Sequence, residues 1–226
     1  HMATWHSSPR DRTIAALDQF AEHFGHAPRT AANHSDCREN IYWGAARLGG
    51  LHRLGYNLAT RFRFHDRYRG HLEGDPHFWG DICKQRVKYL RNLVFNDINT
   101  LKICPMMPYR DPVRPYVNSW FASSEGADVL SFNRCLSEEN QDRLESEGGA
   151  CIIYTHLACG FYKNGQLDNR FRQLLERLAG KPGWFVPVAT LLDFLRERNG
   201  DHSITGAERS NMERRWLWEK VRRGRS

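Results

Sequence analysis

Apolar positions along the chain follow two rhythms. Helical spacing marks "RDRTIAALDQFAEHFG", where Ile14, Leu17, Phe20, Ala21 and Phe24 share a face and Gly25 supplies a terminator. The same spacing marks "GQLDNRFRQLLERLAG" through Leu167, Phe171, Leu174, Leu175 and Leu178, and a long helix over residues 75–94. "SDCRENIYWGAARLGG" is helical in outline, with Ser35 or Asp36 at a capping position, and "SEENQDRLESEGG" reads as a short polar helix with a Gly stop. A last helix opens at "TGAE", with Thr205 and Glu208 at capping-box spacing. Short apolar runs mark strands: "ACIIYTH" most clearly, then "PRTAANH", "GYNLATRF", "TLKICPMMP" and, more weakly, "ADVLSF". "WFVPVATLLDFLRER" starts as a strand and continues as a helix.

Strand followed by helix, repeated at this spacing, predicts an α/β fold with a parallel sheet and helices packed outside it. A closed barrel and an open doubly wound sheet both satisfy the pattern. No GxGxxG or P-loop sequence marks a nucleotide site.

Composition narrows the class. A chain of 226 residues is long enough to bury a sizeable core, and 40% apolar with 26% charged residues is an ordinary globular balance. No run approaches the roughly 20 apolar residues of a membrane span, and the start does not resemble a secretory signal. Six scattered cysteines without CxxC spacing predict a reduced protein, hence a cytoplasmic location. The formal charge of +7 is concentrated in "TRFRFHDRYRGH" and in the tail "MERRWLWEKVRRGR". The tail reads as an amphipathic helix over 203–226 beside a main domain over 3–200. No nucleic-acid motif accompanies the charge, so nucleic acid is not the expected partner.

Polar residues collect where strands should end. Asn33, His34 and Asp36 follow "RTAA"; Tyr109, Arg110 and Asp111 follow "LKICPMM"; Thr155 and His156 follow "ACIIY". In a parallel barrel such positions face one common mouth, so three strands are expected to deliver titratable groups to one cavity. Trp43, Trp79, Trp120 and Tyr109 are candidate ligand-facing aromatics, with core packing as the competing role.

"IIYTHLACGF" resembles the late L-x-H motif of the polysaccharide deacetylases, the NodB-like carbohydrate esterases. "FRQLLERLAGKPGWFVPVATLLDFL" is similar to the closing segment of that family, and "HSSPRDRTIAALDQFAEHFGHAPRTAANH" to its histidine-motif region. The resemblance implies a deformed (β/α) barrel lacking a counterpart of the family's first strand. It also implies a metal-dependent hydrolase that removes an acyl group from an N-acylated sugar. On that footing His156 is the catalytic proton donor to the leaving amine. His34, Asp36, Tyr109, Arg110 and Asp111 contact carbohydrate, and His6 is a ligand of a divalent metal, zinc being the expected one. Departures are plain: "NHSD" does not reproduce the family's R-x-P-Y motif, His1 and His6 miss its H-x-x-x-H spacing, and its paired aspartates have no counterpart here. A catalytically silent carbohydrate-binding relative is therefore the second expectation. A basic nucleic-acid or protein interaction module is the third.

Overall fold

The computed structural model describes residues 6–223. Helix α1 (Arg10–Phe24) ends where Gly25 turns left-handed at φ 70° and its N–H caps the Ala21 carbonyl, as the glycine predicts. Strand β1 (Thr30–Ala32) follows. The helix expected from Ser35 onward does not form. Residues 33–43 are loop instead, ending in a short 3-10 turn, Gly44–Arg47. Positive φ at Tyr42 (46°) and Gly44 (60°) is incompatible with a continuous right-handed helix there.

"GYNLATRF", expected as a strand, belongs to helix α2 (Gly50–Ala59) and the turn after it. Leu51, Leu54 and Leu58 fall on one side of that helix. The expected long helix over 75–94 is divided into α3 (Gly80–Arg86) and strand β2 (Tyr89–Phe95). All seven residues of β2 are buried, as in a strand covered on both faces, which removes the alternation that would announce it. The segment "TLKICPMMP" holds a four-residue helix, α4 (Thr100–Ile103), and strand β3 (Tyr109–Arg110) comes after it.

Strand β4 (Ser119–Glu125) was not anticipated. The "ADVLSF" segment lies largely in helix α5 (Val129–Cys135), where Asp128 and Ser131 form a capping box. Helix α6 (Glu138–Glu147) follows as expected, then strand β5 (Ile153–Tyr154), shorter than its sequence suggests. A hairpin of β6 (Tyr162–Lys163) and β7 (Gln166–Leu167) turns on Asn164 and Gly165, both at positive φ. Helices α7 (Asn169–Ala179) and α8 (Val188–Asn199), strand β8 (His202–Ser203) and helix α9 (Gly206–Arg223) complete the chain. Before α8, residues 184–187 are not a strand.

The fold is mixed α/β with a mostly parallel sheet. Strands run β1-β2-β4-β3-β8, with β5 also paired to β4. β1, β2, β4 and β5 are mutually parallel, while β3 is antiparallel to β4, placing Tyr109 opposite Trp120. Among the described residues β1 and β8 end the path without pairing to each other, so hydrogen bonding does not close the sheet into a ring. The main core joins Tyr89, Leu90, Leu93, Phe95 and Trp120 of the sheet to Leu192 and Leu195 of α8 and to Met212 and Trp216 of α9. A smaller cluster holds Ile98, Phe132, Phe161 and Phe171 beneath α5 and α7. No helix among the described residues is long and apolar enough to cross a membrane.

Candidate functional site

At the carboxyl end of β1, Asn33 shapes the loop that carries His34. The Asn33 side chain donates to the Ile41 carbonyl and accepts from the Ile41 N–H, each at 3.0 Å. Asn40 reciprocates across the same loop, accepting from the His34 N–H at 3.0 Å and donating to the His34 carbonyl. These amides replace the ladder that a second strand would provide, so the backbone groups of the loop stay satisfied inside the protein. His34 is thereby buried.

Across the mouth, β5 ends at Tyr154 and the chain turns at His156. The His34 and His156 rings lie edge to face with centroids 5.5 Å apart. Two strands separated in sequence by more than a hundred residues thus meet at one imidazole pair, as the strand-end pattern predicts. His156 Nδ1 lies 3.2 Å from the Ala127 carbonyl, and Nε2 lies 2.8 Å from the Tyr154 hydroxyl. A carbonyl only accepts, so Nδ1 carries the hydrogen in the neutral ring and Nε2 takes the Tyr154 O–H.

Arg91 lies beneath this pair in the middle of β2. It is 4% exposed, its guanidinium sits 3.9 Å from the centre of the Tyr154 ring, and it donates to the Asn33 carbonyl at 3.0 Å. Burial pulls it down to about 10, with Tyr154 and Glu125 acting in the other direction, so it remains a cation at neutral pH. Burial, then the charge of His156 and that of Arg91, holds His34 below the ordinary imidazole range, while Asp36 opposes them. His34 is accordingly neutral at pH 7. Cys37 Sγ lies 3.8 Å from His34 Nδ1, and burial, then Glu39 and Asp36, pushes its thiol up to about 12. A thiol so raised is no nucleophile at neutral pH.

The remaining expected residues lie elsewhere. Asp36 caps no helix; its exposed carboxylate pairs with Arg67 at 2.8 Å while its charge still acts on His34. Tyr109, Arg110 and Asp111 do not join the histidines, because antiparallel β3 points its carboxyl end toward the start of β4. Tyr109 is a fully buried core ring, and Arg110 is exposed in the short β3 strand. Asp111 is buried in an ion cluster with Arg114 and with Arg209 at 3.0 Å. Helix α9 measures the separation. Its Arg209 meets Asp111, whereas its Glu219 meets the Asn96 N–H at 2.6 Å just after β2. Those contacts are ten residues apart, about 15 Å along the helix. Trp43, Trp79 and Trp120 are all buried and serve the core.

His6 is exposed, and His1 lies outside the described residues. Among the described residues no group of three or more His, Cys, Asp or Glu is placed to hold a metal ion. The donors among the described residues therefore do not make up the ligand set of the divalent metal that the deacetylase resemblance implies. All six cysteines are free thiols.

Sequence reasoning missed Arg91 and Tyr154. A lone arginine inside the apolar run "YLRNLVF" was the available signal for the first, since an unpaired charge is rarely buried without a purpose. No family model, curated protein or solved structure matches the chain.

Proposed function

We propose that the chain is a hydrolase of the polysaccharide deacetylase kind, acting on the amide bond of an N-acylated sugar, with His34 and His156 as its working pair. The juxtaposition of the two imidazoles over the buried Arg91 carries this reading. His34, kept neutral, is suited to receive a proton from the attacking water. His156 in its imidazolium form, with hydrogens on both Nδ1 and Nε2 and the Tyr154 hydroxyl turned to accept, is suited to give the Nε2 proton to the departing nitrogen. Water oxygen bonds to the acyl carbon, the C–N bond breaks, and acetate and a free amine leave. The parallel run β1, β2, β4 and β5, polar at its carboxyl end, is common to a deformed (β/α) barrel of that family and to an open sheet, and is compatible with the barrel reading.

A second reading has its own observation. Because the described donors do not form a metal cage, the same mouth suits a carbohydrate-binding relative that does not cleave. Acetate release from chitotetraose, measured beside calorimetric binding of the same sugar, separates them. The hydrolase reading predicts release that His156→Ala lowers by at least about a hundredfold with binding retained. Binding without release, with or without added zinc, selects the second reading. Failure of both rejects the carbohydrate assignment.

A further inference from the structure

We propose that a cavity of about 360 Å³ between α5, α6 and α9 binds a small organic phosphate. It opens beyond the carboxyl ends of β2 and β4, where Asn96, Asp97 and Glu125 form its floor. Parallel α/β sheets generally seat ligands outside the carboxyl ends of their strands. The cavity is distinct from the histidine pair, although Glu125 borders both: its carboxylate accepts from the Ala127 N–H at 3.0 Å, and the Ala127 carbonyl faces His156.

The charge inside the cavity is uneven once its pairs are counted. Arg134 projects from α5; Arg215, Trp218 and Arg222 lie at i, i+3 and i+7 on one face of α9. The carboxylates are engaged by the protein itself. Asp97 takes Arg143 at 3.1 Å and the Asn99 N–H at 2.9 Å, and Glu219 takes the Asn96 N–H at 2.6 Å and its side-chain amide at 2.7 Å. Arg134, Arg215 and Arg222 enter no salt bridge among the described residues, and Arg222 rests 4.7 Å from the centre of the Trp218 ring. The lining holds four guanidiniums and three carboxylates, an excess of one positive charge, and Arg134, Arg215 and Arg222 keep their forks open to a dianion with several acceptor oxygens. Each guanidinium fork matches two oxygens of a tetrahedral phosphate. The volume lies at the small end of ligand pockets and accommodates a monosaccharide phosphate rather than a polymer. Trp218, 57% exposed, offers an apolar surface for the carbon body of that ligand.

Glucose 6-phosphate, inorganic phosphate and glucose are the probes, titrated calorimetrically into the full chain at low salt. Both phosphates bind and glucose does not. Arg134→Ala and Arg215→Ala each weaken binding on the order of tenfold, and the double variant more. Trp218→Phe weakens the sugar phosphate but not inorganic phosphate. These side chains are exposed, and circular dichroism verifies that the variants fold. Undiminished phosphate binding in the double variant overturns the proposal. So does affinity that rises with oligonucleotide length and ignores both substitutions, which would assign the basic surface to nucleic acid. The proposal is independent of the hydrolase reading, since it concerns binding at a cavity that neither His34 nor His156 lines.

Discussion

Gly126 shows how closely single residues control the mouth. A Cβ at this position would lie 2.8 Å from the Ile153 side chain and 3.0 Å from the Tyr154 carbonyl oxygen. Both neighbours belong to β5, the two-residue strand that leads into His156. Gly126→Ala therefore pushes β5 away from β4, at a cost of about 1–3 kcal/mol. The expected record is a lowered urea midpoint together with amide shifts concentrated at residues 153–156. Wild-type stability with unmoved resonances there would refute the close approach. Arg91 makes the complementary point. Burial and the charge of His156 do most to lower His34, and this buried cation under Tyr154 adds to them from within the strand.

At the scale of elements, legibility followed burial pattern. Helices α1, α6 and α7, and the capping box of Thr205 and Glu208 ahead of α9, were readable because each keeps one apolar face or a capping signal. The two central strands were not. β2 is buried throughout, and its leucines and valine also fit a helical count, so periodicity could not decide. β4 reads "SWFASSE", and its polar residues suggest a surface segment, yet all seven positions are buried. Partners explain part of this: Ser124 lies 2.7 Å from the Thr100 hydroxyl, which accepts from the Ile152 N–H at 3.0 Å, tying α4 to the approach to β5. The candidate site was half legible for the same reason. Strand ends after β1 and β5 were located well enough to pair His34 with His156. The Tyr109–Asp111 group was misplaced because a sequence does not show that β3 runs antiparallel.

The whole molecule couples stability to pH through groups far apart in the sequence, His34, His71 and Asp193. Burial, then Arg53, Arg114 and Arg69, pushes His71 down to about 4, and His34 is lowered as well. An unfolded histidine titrates near 6.5, so below that pH the unfolded chain binds protons that the folded chain refuses. Stability is therefore complete above about pH 6.5 and is lost as pH falls toward 4, by up to about 3 kcal/mol from His71. Asp193 adds a second, more acidic window. Burial opposes its ionisation, but Lys88, Tyr89 and Arg29 hold it down to about 2, so its contribution is present above 3.8 and disappears between 3.8 and 2. Urea midpoints measured from pH 8 to pH 2 should fall in two stages. His71→Gln should flatten the first stage alone, and an unchanged slope would contradict the assignment. Most directly, the account stands on His34 and His156 sharing one mouth, which a histidine NMR titration tests. In His156→Ala the His34 imidazole should titrate measurably closer to 6.5 than in the unaltered chain, since one of its neighbouring charges is gone. An identical His34 titration in both proteins would show that the two rings do not meet.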